Sequence, residues 1–212
     1  GNLKFSESKS QKNNNFDNKL TKIFKSKKIW CAASTHDNEE KICALAHKNL
    51  KNKYKDILTI IIPRHIQRAD SIIKEIEYLD LNIQKRSQNS NINKNTDIYL
   101  VDTYGETKSF YKICNTVFLG GSHINRGGQN PLEPARFGCK ILHGPYVQNF
   151  TEVYKLLEKN NLSCKFNNIK QLITLVNQSI TKKTNFTNKI VKLKKIGSNI
   201  LNKTLGEINF YL

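Results

Sequence analysis

The sequence predicts an α/β fold, a parallel sheet covered on both faces by helices. Three observations carry that prediction. Short apolar runs alternate with helix-patterned stretches six or more times along 212 residues. Runs such as Ile57–Ile62 (ILTIII) are apolar throughout, as strands buried on both faces are. Five of these runs end in a polar loop carrying Gly, Pro, His or Arg, and a helix pattern then begins.

Residues 1–28 are polar and rich in Lys, Asn and Ser, and read as a linker. Within them Ser6–Asn15 is expected to be loop and Phe16–Phe24 a short helix. The first strand is Ile29–Ala33 (IWCAA). After Ser34-Thr35-His36 a helix runs to about Lys53. Asp37 or Asn38 is its expected cap, and Glu39 and Glu40 favour the dipole of its first turn. Ile57–Ile62 is the second strand, stopped by Pro63-Arg64-His65, and a helix follows over about 68–79. Asn82–Lys85 is a weak third strand and Ser87–Asn95 a polar loop. Asp97–Val101 (DIYLV) is a strand stopped by Asp102-Thr103-Tyr104-Gly105-Glu106, with a helix to about Ile113. Thr116–Leu119 (TVFL) is a strand leading into GGSHINRGGQNPLEPARFG, Gly120–Gly138. Lys140–Leu142 is stopped by His143-Gly144-Pro145, a helix covers 149–159, and Leu162–Phe166 is the last strand. Helices over about 169–180 and 185–205 close the chain. The main domain is therefore 29–180, with 181–212 a helical extension.

Composition narrows the function. Hydrophobic residues make up 38%, enough for a core at this length because they cluster. No apolar run reaches the length of a membrane span, and the N-terminus has no signal-peptide pattern. Five Cys, without a CxxC pair, argue for reduced thiols and against a disulfide frame or zinc site. The net charge of +18 points to an anionic partner. Its lysines, however, are scattered among Asn and Ile, without a tight basic cluster interleaved with aromatics. Nucleic acid is therefore the lesser expectation. The absence of Met from so long a chain is expected of a part of a longer protein.

Ligands of an open parallel sheet bind outside the carboxyl ends of its strands. The informative loops all lie there: Ser34–His36, Pro63–His65, Asp102–Glu106, Gly120–Glu133 and His143–Pro145. The amides of Gly120, Gly121 and Ser122 are expected to bind phosphate, and Arg64 to pair with phosphate or carboxylate. Glu133 precedes Pro134, a good first helical residue. It is expected either to cap that helix or to accept from ribose hydroxyls. His36, His65, His123 and His143 each follow a strand and are expected to line the site, whereas mid-helix His47 is structural. GxGxxG after the first strand and GxxxxGK[ST] are both absent, which disfavours NAD and the phosphate-loop ATPases. HExxH and GxSxG are absent too.

Gly1-Asn2-Leu3-Lys4-Phe5, Ala32–His36, Pro63–His65, Asp102–Glu106 and Gly120–Gly138 occur in this order. Together they resemble the C-terminal half of the 3-deoxy-D-manno-octulosonate (Kdo) transferases of lipid A assembly. The resemblance implies the glycosyltransferase-B architecture, in which two Rossmann-like domains flank a cleft and the C-terminal one holds the donor, CMP-Kdo. It implies that CMP is contacted by Pro63 and Arg64, by Tyr104, Gly105 and Glu106, and by Asn130, Pro131, Leu132 and Glu133. Lys4 matches the family's transition-state-stabilising lysine, and Ser34 and Thr35 are second-tier candidates. Tyr104 replaces a usual Met, Gln129 a common His, and Ile66 and Ala69 lie in a less typical segment.

The implied reaction is an inverting transfer of Kdo to a lipid A precursor, without metal or cofactor, at the cytoplasmic face of the bacterial inner membrane. The family's N-terminal domain, with its anchor, acceptor pocket and catalytic glutamate, has no counterpart in the sequence. The segment alone is expected to bind donor but not to transfer Kdo. A glycosyltransferase-B enzyme using a UDP-sugar and a non-catalytic basic nucleic-acid module are the alternatives.

Overall fold

The computed structural model describes residues 16–88 and 92–181, and beyond these only Val191 and Lys195. The expected loop at 6–15 and helix at 185–205, and Lys4, lie outside the described residues. Seven strands are present: β1 (Lys28–Thr35), β2 (Ile57–Pro63), β3 (Ile83–Lys85), β4 (Ile98–Leu100), β5 (Thr116–Leu119), β6 (Lys140–His143) and β7 (Ser163–Lys165). They form one sheet in the order β3-β4-β2-β1-β5-β6-β7, with every neighbouring pair parallel.

Both faces are covered, which is why the strands carry no polar side. Along β1, Trp30 and Ala32 pack with Ile61, Leu100, Phe118 and Leu142 under α2 (Glu39–Lys51), α3 (Ala69–Ile76) and α7 (Ile169–Thr181). Cys31 and Ala33 face the other way, among Ile60, Tyr99, Val117 and Leu119. That second face is closed by α4 (Thr107–Tyr111), α5 (Leu132–Arg136), α6 (Thr151–Lys159) and α1 (Asn18–Lys25). α1 is capped by Asp17, which accepts from the Leu20 amide at 2.7 Å, and it buries Leu20 and Phe24 in that core.

Two helices are shorter than their patterns predict. The stretch expected as one helix over 68–79 is α3 flanked by two short 3-10 turns, Ile66–Arg68 and Glu77–Leu79. The helix after β4 ends at Tyr111. The expected weak strand at 82–85 is β3, a half-buried edge paired only to β4.

Asp97 pins the start of β4. Its buried carboxylate accepts from Lys51 Nζ at 2.6 Å and from the Asn82 amide at 2.9 Å, and lies 3.4 Å from His47 Nε2. Burial opposes its ionisation, but His47, Lys51 and Asn82 outweigh burial and hold the carboxyl down to about 2, from an ordinary 3.8. A depressed carboxyl stabilises the fold above its unfolded value and loses that contribution as pH falls through the folded one. The Asp97→Asn variant is therefore expected to lose about 2 kcal/mol at pH 7. Its unfolding free energy should also change less than the parent's between pH 4 and pH 2, measured by urea titration.

Candidate functional site

β1 and β5 are neighbours, yet the chain runs outward from β1 to β2 on one side and from β5 to β6 on the other. A crevice opens at such a switch point, at the carboxyl ends of the strands. Here the crevice is walled by closely stacked loops. Ser34 bulges out of β1 with φ 55°. Gly120 lies directly against that bulge: a Cβ on it would sit 2.2 Å from the Ser34 carbonyl oxygen. Its amide donates to the Ala33 carbonyl at 2.9 Å. Gly144 approaches the next loop equally closely, with a Cβ position 2.2 Å from the Ser122 carbonyl oxygen. On the other flank the Arg64 amide donates to the Thr35 carbonyl at 2.9 Å, joining the turn after β2 to β1.

A buried carboxylate holds these loops in place. Glu39, fully enclosed at the start of α2, accepts from the amides of Gly121 (2.7 Å), His123 (3.0 Å) and His36 (3.0 Å). Burial pushes its carboxyl up, and the three amides pull against that shift. The Gly120 and Gly121 amides expected to meet a phosphate are thus spent inside the protein, one on the sheet and one on Glu39. Asn38 does occupy the N-cap of α2, but in a left-handed conformation and without a side-chain cap bond.

The five strand-end loops do converge on one edge. The His36 and His65 rings lie 5.9 Å apart, edge to face. Gln67 Nε2 donates to the Tyr104 hydroxyl at 3.3 Å, tying the turn after β2 to the loop after β4. Lys108 of α4 lies 3.6 Å from Glu133 of α5. Pro63 is buried as the last residue of β2, whereas Arg64 projects into solvent without a carboxylate partner among the described residues. Tyr104 is 71% exposed, and Gly105 beside it adopts φ 82° with open space around it.

Glu106 is occupied. Arg86 grips its carboxylate through Nε and Nη2, at 2.8–3.2 Å, and the Thr103 hydroxyl also donates to it. Burial alone would raise the carboxyl, but the Arg86 and Thr103 bonds hold it below its ordinary value. Asn130 is exposed, and its side-chain oxygen accepts from the Leu132 amide at 3.0 Å. That Asx turn starts α5 at Leu132, with Pro131 as N-cap. The sequence reading placed the helix start at Pro134. Glu133 instead sits inside the first turn, half exposed and facing outward, so it does not act as the N-cap.

Two expected site-lining histidines face inward. His143 is buried, with Nδ1 2.8 Å from the Gly144 carbonyl and Nε2 2.9 Å from Glu158. Its ring also packs 4.4 Å from that of Tyr154, so it anchors β6 to α6 and does not line the crevice. His123 stacks on Phe166 at 5.3 Å. His47 is structural as expected, with Nδ1 2.8 Å from Thr59 Oγ1.

Sequence reasoning missed Glu39 as the organiser of the loops, and it missed Arg126 and Gln129. Around Gly121 the nearest neighbours of a Cβ would be Arg126 Cβ and His36 Cδ2, each at 3.4 Å, and Gln129 Nε2 at 3.5 Å. Burial lowers the proton affinity of His36, and its neighbours His65, Arg126, Arg64 and Arg68 lower it further. Among the described residues no group of three or more His, Cys, Asp or Glu is placed to hold a metal ion.

No protein-family model matches the chain. It is 33% identical over 201 residues, 95% of its own length and 42% of the relative's, to 3-deoxy-D-manno-octulosonic acid transferase of Rickettsia prowazekii (strain Madrid E). It is 36% identical over 129 residues, 61% of its own length and 30% of the relative's, to the protein of that name from Haemophilus influenzae (strain ATCC 51907 / DSM 11121 / KW20 / Rd). The chain spans less than half the length of these curated relatives. In fold it matches the C-terminal CMP-Kdo binding domain of WaaA from Acinetobacter baumannii with a TM-score of 0.76 at 24% identity, covering 84% of this chain and 92% of that one. The fold is thus the Rossmann-like C-terminal half of a glycosyltransferase-B enzyme. By sequence over most of its length, and with that fold, the chain belongs to the 3-deoxy-D-manno-octulosonic acid transferase family.

Proposed function

We propose that this chain is the donor-binding part of a Kdo transferase. It holds CMP-Kdo for an inverting, metal-independent transfer to a lipid A precursor at the cytoplasmic face of the bacterial inner membrane. The observation that carries the reading is the meeting of the strand-end loops at the switch point of a parallel sheet. Arg64 there lacks a carboxylate partner among the described residues, and Glu133 is half exposed on the same edge beside Lys108. Arg64 suits the donor phosphate, and Glu133 suits hydroxyls of the ribose. Glu106, already clamped by Arg86, shapes its loop so that the backbone around Gly105 faces the nucleotide. The net charge of +18 fits work beside an anionic lipid surface.

Calorimetry with CMP, UMP and UDP tests this reading. CMP is expected to bind tightest, with the same affinity when EDTA is present. Arg64→Ala and Glu133→Ala are each expected to weaken CMP by about tenfold, the size of one charge-assisted hydrogen bond. Neither exposed side chain supports the core, so the unfolding midpoint should stay put. Preference for UDP, or unchanged CMP affinity in both variants, would overturn the assignment.

A further inference from the structure

Arg68 and Arg86 are each committed to carboxylates, Arg68 to Glu40 at 2.9 Å and Arg86 to Glu106 at 2.8 Å. Arg64 and Arg126 are not: neither has an ion-pair partner among the described residues. They stand on different loops, and both lie close enough to His36 to lower its proton affinity. Arg64 belongs to the turn that Gln67 ties to Tyr104, on the side proposed for the nucleotide. Arg126 belongs to the loop after β5, which Gln148 ties at 2.8 Å through Asn125 to the segment after β6.

Gly121, with φ 66°, contributes no side chain, and Arg126, His36 and Gln129 stand around the space one would fill. His36 is held by its backbone amide on Glu39, yet its ring Nε2 is buried without a hydrogen-bond partner. A buried polar atom left unpaired is costly unless a ligand completes it. Gln129 is fixed from behind by the Tyr154 hydroxyl, which donates to its carbonyl at 2.9 Å.

We propose that Arg126, His36 and Gln129 form a second anion subsite that takes the carboxylate of the acidic sugar, apart from the subsite for the nucleotide phosphate. This inference rests on the donor reading given above. A CMP-linked sugar acid carries two anionic groups, one phosphate and one carboxylate, and the crevice offers two uncommitted guanidiniums. The planar fork of Arg126 matches a carboxylate, and a neutral amide and an imidazole N–H supply further donors. Burial and the surrounding cations hold down the proton affinity of His36, so an entering anion relieves that repulsion.

Titration of the whole chain with CMP and with CMP-Kdo tests the subsite. The unaltered chain is expected to bind CMP-Kdo more tightly than CMP. Arg126→Gln is expected to leave CMP affinity within about twofold and to weaken CMP-Kdo about tenfold, erasing the difference. Equal weakening of both ligands would assign Arg126 to the phosphate and overturn the subsite. Unchanged affinity for both would overturn it as well. In either case CMP binding itself leaves the donor reading standing. Failure of the unaltered chain to bind CMP sinks the donor reading, and the subsite with it.

Discussion

Replacing Glu39 by Ala is expected to destabilise the fold by about 3 kcal/mol, although the apolar pattern does not mark Glu39 as a core position. Its two oxygens collect three amides from two loops, those of Gly121, His123 and His36. Each amide left without an acceptor costs roughly 1–3 kcal/mol, and water entering the space left by Ala would recover part of that. The Glu39→Gln variant separates these contributions. It keeps the volume but turns one acceptor into an NH₂ facing donors. It is expected to lose about as much as the Ala variant despite its closer shape. Urea unfolding of both variants checks this, since a change in midpoint at constant slope reports stability. CMP affinity should fall in both even where the chain stays folded, because the loops Glu39 fastens carry His36 and lead to Asn130. A loss below about 0.5 kcal/mol in both variants would mean that the three amides have other partners.

The contrast between Glu39 and the strands shows what the sequence could disclose. Ile57–Ile62 and Thr116–Leu119 are apolar without interruption, and they are β2 and β5 with almost no error at the ends. Local pattern suffices there, because burial on both faces leaves no alternative periodicity. The alternation implies a parallel sheet and puts the candidate loops at the carboxyl ends of its strands, so that edge was legible from sequence, whereas the strand order and its switch point depend on which strands pair and were not. Glu39 was legible only as a favourable charge in a first turn, since the amides it binds at 121 and 123 lie 82 and 84 positions away. The histidines show the same limit. His36 and His143 both follow a strand, but His143 turns inward because Gly144 and Glu158 wait for it, and that depends on packing. Arg126 lies within the Gly120–Gly138 stretch, but nothing in that stretch marked it as a site residue. It became visible only when Arg68 and Arg86 proved to be paired and it did not.

Gly120→Ala is expected to be the most damaging of all small changes in the crevice, with a loss of at least about 3 kcal/mol or failure to fold. The reason differs from the one a Gly-Gly pair suggests. Gly120 has ordinary backbone angles, since it is absent from the positive-φ positions that include Gly121. What it lacks is room. A methyl group there would meet the Ser34 carbonyl oxygen at 2.2 Å, the Thr35 Cα at 2.5 Å and the Ser34 carbonyl carbon at 2.7 Å. All three are backbone atoms of the β1 bulge, so no rotamer change relieves the clash. β5 must instead move off β1 at the centre of the sheet, stretching the Gly120–Ala33 bond and drawing Gly121 away from Glu39. Gly105→Ala provides the comparison. Gly105 has φ 82° but nothing within 4 Å, so Ala there meets only conformational strain, about 1 kcal/mol. Gly144→Ala, whose Cβ would lie 2.2 Å from the Ser122 carbonyl oxygen, should behave like Gly120→Ala. Equal losses at 105 and 120 would mean that flexibility, not close approach, selects glycine at the switch point. The expected order, with 120 and 144 far above 105, ties the shape of the crevice to backbone contact between three strand ends. On that account the glycines bring the loops together and Glu39 fastens them, and Arg64 and Arg126, without ion-pair partners among the described residues, remain for the proposed contacts with the donor.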